Sequence, residues 1–435
     1  MKSVALHNLG CKVNGYEMDV MQQRLQEKGY KIVPFDEVAD IYIVNTCTVT
    51  NIADRKSRQM LHRAKKRNPD AVVVAVGCYV QTGEDAVKKD DAIDLVIGNN
   101  RKKQLVSILE DYLNHRESED AVIDINHTDE YEEMTLTKTA EHTRAYIKIQ
   151  DGCNQFCSYC IIPYARGRVR SRREEDILHE VEGIVAAGYQ EIVLTGIHIS
   201  SYGVDRGASE LPVLLDKLNM IDGLKRIRLG SLEPRIVTEK FVQQISAMQK
   251  ICPHFHLSLQ SGCDAVLNRM NRQYTSGEYF QTTELIRKYY PNPAITTDVI
   301  VGFPGETQEE FDITERFVRS VNFYEMHIFK YSKRQGTRAA VMAGQLTEAE
   351  KSRRSAILAE AEKQMSHAYR TSCIGSEAEV LFEEKKEMDG RFFWVGHTPQ
   401  YVKAAKEVDS SQDLANQIVR GTIVGFLEDD VMILK

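Results

Sequence analysis

Three cysteines stand close together near the middle of this 435-residue chain, in Asp151-Gly152-Cys153-Asn154-Gln155-Phe156-Cys157-Ser158-Tyr159-Cys160. Their C-x3-C-x2-C spacing suits one side of an iron–sulfur cube. Three thiolates hold three irons, and the fourth iron keeps a position for a substrate or cofactor; a four-cysteine site is normally closed. The alternatives are a zinc knuckle or a group of buried cysteines. Structural zinc takes four ligands, usually as two separated C-x2-C pairs, and no fourth ligand follows Cys160 at short range.

Composition sets the context for this chemistry. Nine cysteines in a long chain with no apolar leader at Met1-Lys2-Ser3-Val4 argue against a disulfide framework and for metal or redox chemistry in the cytosol. The longest apolar run, residues 71–76, is far too short to span a bilayer. A net charge of −7 argues against a protein that coats nucleic acid without specificity, yet two runs are strongly basic. Residues 55–67 carry seven Lys or Arg and no acid, which reads equally as a solvated helix face or a phosphate-binding one. Arg166-Gly-Arg-Val-Arg-Ser-Arg-Arg173 carries five arginines directly after the cysteine motif, where a role beside the active site is the better reading.

The elements that must position these residues alternate between strand and helix. Strands are expected at 3–9, 41–44, 71–76 and 94–97, with helices at 16–28, 52–67, 84–89 and 102–113. That alternation predicts a parallel sheet covered by helices. Cys11, Cys47 and Cys78 each lie just past the carboxyl end of an expected strand. Those ends share one edge of the sheet, where open α/β folds bind ligands, so three distant cysteines should converge on a second site. Chance placement of small buried cysteines is the alternative.

Residues 115–143 are polar and acidic and read as a connection, with one extra strand at 121–125. From 144 to 371, six further strand–helix units follow, too few for an eight-fold barrel, so an incomplete barrel with a wide lateral mouth is expected. A long charged helix at 347–369 should pack across it. Residues 372–435 hold five short alternating runs between turn residues, the pattern of a small β-barrel. The fold class is thus α/β, with an N-terminal sheet domain over 1–114 and a small terminal β-barrel.

With Tyr159 just before the last cysteine and a six-unit core, the central part resembles the radical S-adenosylmethionine enzymes. Ser231-Leu-Glu-Pro234, His256-Leu-Ser-Leu-Gln-Ser-Gly262 and Thr297-Asp-Val-Ile-Val-Gly-Phe-Pro-Gly-Glu-Thr307 extend the likeness. Together with the N-terminal cysteine trio and the C-terminal barrel, called a TRAM domain in that family, they resemble the methylthiotransferases over essentially the whole chain. Asn8-Leu9-Gly10-Cys11-Lys12-Val13-Asn14 and the stretch from Gln150 to Gly167 are most similar to the branch acting on threonylcarbamoyladenosine in tRNA.

The resemblance implies two 4Fe–4S clusters. Cys153, Cys157 and Cys160 would hold the one that chelates S-adenosylmethionine and generates a 5′-deoxyadenosyl radical. Cys11, Cys47 and Cys78 would hold the one that delivers sulfur, methylated by a second S-adenosylmethionine. The product would be a methylthio group on carbon 2 of the modified adenosine at tRNA position 37. The implied partners are a tRNA anticodon stem-loop and an electron-donor protein. Gly196, Ser258, Gln260, Asp298 and Gly302, at or near expected strand ends, are cofactor-contact candidates, although a turn or packing role fits each as well. Arg166, Arg168, Arg170 and Arg172 are RNA-contact candidates, the first three also for the substrate's carboxylate. Cys252, Cys263 and Cys373 read as small hydrophobes, and the twelve histidines show no metal-ligand pattern. The rival readings are the same chemistry on isopentenyladenosine tRNA or on a ribosomal-protein aspartate, and a non-catalytic iron–sulfur RNA-binding module.

Overall fold

The structure, a computed structural model, describes residues 2–115, 121–137 and 143–435. Its first sheet holds β1 (Ser3–Asn8), β2 (Lys31–Val33), β3 (Ile41–Thr46), β4 (Val72–Gly77) and β5 (Leu95–Ile97), all parallel, in the order β2-β1-β3-β4-β5. Every residue of β3 and β4 is buried, as helices on both faces require and as the unbroken apolar run Val72-Val-Val-Ala-Val76 permits. The three-residue β2 was not foreseen; it is too short to show a period. The first helix, Lys12–Glu27, begins four residues before the expected position 16, immediately after Cys11. Helix Asn51–Arg67 is capped by the Thr50 hydroxyl and carries Asp54 in its first turn and Lys65, Lys66 and Arg67 in its last, which suits the helix dipole.

The expected strand at 121–125 reduces to one bridge, Ala121 to Ile97, and the chain then turns through a short 3-10 helix, Ile125–His127. Residues 121–137 are more than a connection: Ala121, Ile125, Met134 and Leu136 are fully buried, and all but Ile125 join the main core. The expected connection at 116–120 and 138–142 lies outside the described residues.

The central unit contains β6 (Arg144–Asp151), β7 (Arg170–Ser171), β8 (Glu191–Gly196), β9 (Arg226–Leu229), β10 (His254–His256), β11 (Ala294–Val301) and β12 (Glu325–Lys330). Two sheets, β7-β6-β8-β9 and β10-β11-β12, are stitched by the bridges Ile227–Ile251 and Leu232–Leu257, and Gln260–Val299 extends the β10-β11 pairing. Six strands run parallel, β7 pairs antiparallel on the β6 edge, and β6 and β12 do not pair, so the barrel is open as expected. Helices Ser276–Tyr289 and Gln308–Val321 each start with a capping box, Thr275 with Glu278 and Thr307 with Glu310. One continuous apolar core runs from Ile43 and Val74 of the first sheet to Ile147, Ile149 and Leu194 of the barrel.

β13 (Glu377–Met388), β14 (Arg391–His397), β15 (Lys403–Val408), β16 (Ile418–Glu428) and β17 (Val431–Leu434) close into a small barrel whose core of Val380, Phe382, Trp394, Ile423 and Met432 also takes in Ala294 and Tyr324 of the central unit. It docks where the central strands begin. Arg226 donates to the carbonyls of His397 and Glu379, and Arg228 to those of Pro399 and Thr398. The Arg144 and Arg228 guanidinium groups lie 4.8 and 4.7 Å from the Tyr401 ring centre. Tyr401 therefore sits at the end of the central barrel opposite the cysteines. Among the described residues no helix is long and apolar enough to cross a membrane.

Candidate active site

Cys11, Cys47 and Cys78 follow β1, β3 and β4, three adjacent strands of one sheet. Glycines bring them together. Gly10 has φ +112°, and a Cβ there would stand 3.2 Å from Cys47 Sγ, so only a bare backbone lets Cys47 approach Cys11. Gly77 has φ +98°, and a Cβ there would lie 2.7 Å from Asn45 Oδ1, which fixes the turn presenting Cys78 at the start of helix Cys78–Thr82. Asn14 accepts from the Cys11 thiol (3.7 Å), and Asn99 Nδ2 points at Cys78 Sγ (3.5 Å). Burial pushes the Cys47 thiol up to about 11.

The second trio hangs from the end of β6. Gly152 has φ +73°, and a Cβ there would overlap the backbone carbonyl of Arg168. The Cys153 amide donates to Gly167 O (3.0 Å), and the loop is then strapped by residues 269–272. The Ser158 amide donates to Met270 O (3.0 Å), Ser158 Oγ to Arg269 O (2.8 Å), and Asn271 Nδ2 to Phe156 O (3.1 Å). Arg272 Nη1 donates to Cys157 Sγ (3.2 Å), and its guanidinium lies 4.8 Å from the Tyr274 ring centre. Burial pushes the Cys153 and Cys160 thiols up to about 11 and 12, so a metal must displace protons there.

One buried residue reaches from the first arrangement to the base of the second loop at Asp151. Arg166, fully buried just beyond Cys160, donates from Nε to Cys78 Sγ (3.2 Å), from Nη2 to Asn14 Oδ1 (2.6 Å), and from Nη1 to Glu17 (2.5 Å) and Asp151 (3.1 Å). Lys148 bridges Glu17 (2.8 Å) and Asp151 (2.7 Å), and Lys102 pairs with Glu17. Burial alone would raise both carboxyls, but Arg166, Lys102 and Lys148 outweigh it at Glu17, and Lys148 and Arg166 at Asp151, holding both well below the usual range. Three cations thus face two carboxylates, and the surplus positive charge is aimed at a cysteine sulfur.

These geometries carry a family signature. Residues 3–98 match the model described as uncharacterized protein family UPF0004, and residues 147–318 match the Radical SAM superfamily. The chain is 39% identical to the threonylcarbamoyladenosine tRNA methylthiotransferase MtaB of Bacillus subtilis, over 98% of this chain and 94% of that protein. The chain belongs to the radical S-adenosylmethionine methylthiotransferases. It is also 41% identical to the MtaB protein of Aquifex aeolicus, over 88% of this chain and 94% of that one. It is 36% identical to the tRNA-2-methylthio-N(6)-dimethylallyladenosine synthase of Moorella thermoacetica, over 89% and 88% of the two chains. The fold is shared with the radical S-adenosylmethionine methyltransferase TsrM from Kitasatospora setae, at TM-score 0.56 and 15% identity over 78% of this chain and 77% of that one.

Methylthiotransferases of this kind use S-adenosylmethionine and 4Fe–4S clusters, and the residues present fit such clusters. A single zinc ion would draw its thiolates to about 4 Å apart, from metal–sulfur bonds of about 2.3 Å. Among the described residues, the only three metal-ligating groups within 4.8 Å of one another are His256, Asp298 and His327; neither cysteine trio is drawn in so tightly. N–H donors to Cys78, Cys153 and Cys157 are the kind that tune cluster sulfurs.

The other sequence-derived candidates fare unevenly. Gly196, at the end of β8, packs on Gln150, 3.0 Å from where its Cβ would be. Ser258 lies 2.8 Å from Ser231 Oγ, and Gln260, at φ +71°, bonds through its backbone to Asp298 and Ile300. Asp298 lies 3.2 Å from His256 Nε2. Gly302 packs against the Lys351 side chain and donates its amide to Glu306 (2.7 Å), so it is occupied by packing. The arginine run requires a correction. Arg166, Arg170 and Arg172 are buried, Arg172 between Glu133 and Glu180, Arg170 on the carbonyls of Arg166 and Arg168, and none is free for RNA phosphate. Arg168 is the exposed one of the four candidates, its guanidinium 4.4 Å from the Phe156 ring centre; Arg173, also exposed, pairs with Asp176. The histidines also differ from expectation, since His256 and His327 converge beside Asp298 from separate strands. Arg272, Asn99, Glu17 and Lys148 were missed; their partners are distant in sequence, and only the Gln150-Asp151 and Asn14 positions lay within quoted motifs.

Proposed function

We propose that this protein adds a methylthio group to carbon 2 of N6-threonylcarbamoyladenosine at tRNA position 37, in the cytoplasm, with electrons from a donor protein. The carrying observation is Arg166, which links the loop of Cys153, Cys157 and Cys160 to Cys78 and, through Asn14, to Cys11. A guanidinium that joins Cys78 to Asp151, at the base of the second cysteine loop, suits a reaction needing both a radical and a sulfur. We take residues 1–114, 144–371 and 372–435 as the units holding the sulfur-delivering cluster, the radical-generating cluster and the TRAM barrel.

When bound, S-adenosylmethionine and the clusters supply the radical, the sulfur and the methyl group. The chain supplies position and enclosure. Gln150 donates to the carbonyls of Asp151 and Gly152 (2.6 Å each) and accepts from the His198 amide (2.8 Å), stiffening the start of the cysteine loop. Arg272 sets a positive charge on Cys157, while Tyr401 covers the far end of the barrel. At the rim, Arg168 and Phe156, with Tyr164 edge-on at 6.0 Å, form a cation–aromatic surface suited to unstacked bases of an anticodon loop. Arg55 and Lys56 on helix Asn51–Arg67 are exposed and suited to backbone phosphates, whereas Arg63, Lys65 and Arg67 are occupied by Asp36 and Asp94.

Nucleoside mass spectrometry of tRNA from a deletion strain tests the reading: the 2-methylthio form of threonylcarbamoyladenosine should vanish, and an unchanged level would sink it. In the reconstituted enzyme, Cys78→Ala should still cleave S-adenosylmethionine but transfer no methylthio group, whereas Cys157→Ala should do neither. A non-catalytic module would cleave nothing in any form.

A further inference from the structure

The barrel holds a polar cluster that neither cysteine site uses. Asp298 of β11 and His327 of β12 are direct partners across the strand pair, and His256 of β10 joins them through its 3.2 Å contact with Asp298. The His256 and His327 rings stack with centres 5.8 Å apart, and His256 Nδ1 is fixed 3.0 Å from Thr296 Oγ1. None of the three is fully buried, and His327 is exposed.

Lys12 completes the group. It is the residue after Cys11, the first of helix Lys12–Glu27, and its side chain is exposed. Among the described residues it makes no hydrogen bond or ion pair, yet it lies within electrostatic range of Asp298, Arg228 and Arg144, all on barrel strands. Its ammonium therefore reaches from the edge of the first cysteine trio towards the barrel interior. Arg144 and Arg228 have Glu383 and Glu191 as direct partners; Lys12 has no direct acid of its own. Lys12 thus has two arginines and one carboxylate, Asp298, within electrostatic range, surroundings that suit an added anion.

We propose that Lys12, His256, Asp298 and His327 form the pocket for the N6-substituent of the substrate base, and that Lys12 reads its carboxylate. This deepens the threonylcarbamoyl reading and rests on it. The substituent carries one carboxylate, one hydroxyl and ureido N–H donors. Lys12 and a histidine N–H donate to the carboxylate, and Asp298 accepts from the ureido N–H or hydroxyl. A purely hydrocarbon substituent satisfies none of these groups and leaves them unpaired, the arrangement that gives strong rejection of an analogue lacking the polar group. Asp298 thereby becomes a substrate contact, and because Lys12 adjoins Cys11, the substituent is anchored beside the sulfur-delivering site.

The test uses the reconstituted enzyme and two anticodon stem-loop RNAs, one bearing threonylcarbamoyladenosine and one with its carboxylate capped as the methylamide. Lys12→Gln should lower kcat/KM on the acid RNA by roughly 10- to 100-fold, mainly through KM, the range for a hydrogen bond to a charged group. Lys12→Arg should recover most of the loss. On the amide RNA, already poor for the wild type, the wild-type and Lys12→Gln proteins should converge. His327→Ala should weaken the acid RNA selectively, with iron content as the check on folding. Equal losses on both RNAs, or no loss on either, would overturn the pocket. A wild type that modifies neither RNA but accepts a dimethylallyl one would overturn the substrate reading itself, which distinguishes the two failures.

Discussion

The Nε–H of Arg166 meets Cys78 Sγ at 3.2 Å, so a residue just past Cys153, Cys157 and Cys160 donates to a cysteine of the N-terminal trio. Arg166→Ala would leave Glu17 and Asp151 short of a buried cation, and breaking such a pair costs about 3–5 kcal/mol. Arg166→Lys keeps the charge but loses the Nε donor. Its expected signature is a more negative reduction potential at the N-terminal cluster with the other cluster unmoved, read by redox titration with electron paramagnetic resonance.

Arg272 plays the matching part at Cys157. Arg272→Gln removes a cation from a thiolate ligand, which should shift the radical-generating cluster to lower potential and slow reductive cleavage of S-adenosylmethionine by about tenfold or more. Single-turnover cleavage with excess chemical reductant checks it; a rate equal to wild type contradicts the assignment.

Gly152 tests the loop. Any side chain there meets the Arg168 carbonyl at a positive φ, so even Gly152→Ala must displace backbone. The expected result is a loss of more than about 3 kcal/mol of stability, together with loss of the Cys153–Cys157–Cys160 cluster, measured by denaturant unfolding and iron content. Gly188→Ala, a positive-φ glycine with open space around it, serves as the milder control.

His198 makes stability pH-dependent. Burial pushes its imidazole down to about 4 from 6.5. Between these values the unfolded chain binds a proton that the folded chain refuses, so stability is intact above pH 6.5 and falls as pH drops towards 4. The full effect is about 3 kcal/mol. Unfolding free energies of wild type and His198→Gln, compared across that window, should show a shallower pH slope in the variant; parallel slopes refute it.

Cysteine spacing and strand periodicity made much of this molecule legible before any coordinates. Cys11, Cys47, Cys78 and Cys153 follow strand ends, and a strand end is visible in sequence, while Cys157 and Cys160 are read from their spacing to Cys153. The arginines were not legible. Five in eight residues look like an RNA surface, but Arg172 pairs with Glu133 and Glu180, and Arg166 with Glu17 and Asp151. Acids from the first helix, β6, the connection and a barrel helix neutralise the basic run inside the fold, and one-dimensional charge counting cannot see that. Lys12 and His327 were equally hidden, because their meaning comes from strands and a helix start that meet only in space.

The shared interior of the first sheet and the barrel also bears on how such proteins can be recombined. With Ile43 and Val74 packed into the same core as Ile147 and Leu194, and Glu17, Lys102, Lys148, Asp151 and Arg166 split across that seam, neither half can be exchanged alone without stranding buried charge. They form a single unit of inheritance. The C-terminal barrel shares less, its core taking in only Ala294 and Tyr324 of the central unit, so a chimera that replaced it would have to preserve that seam and the contacts of Arg226 and Arg228.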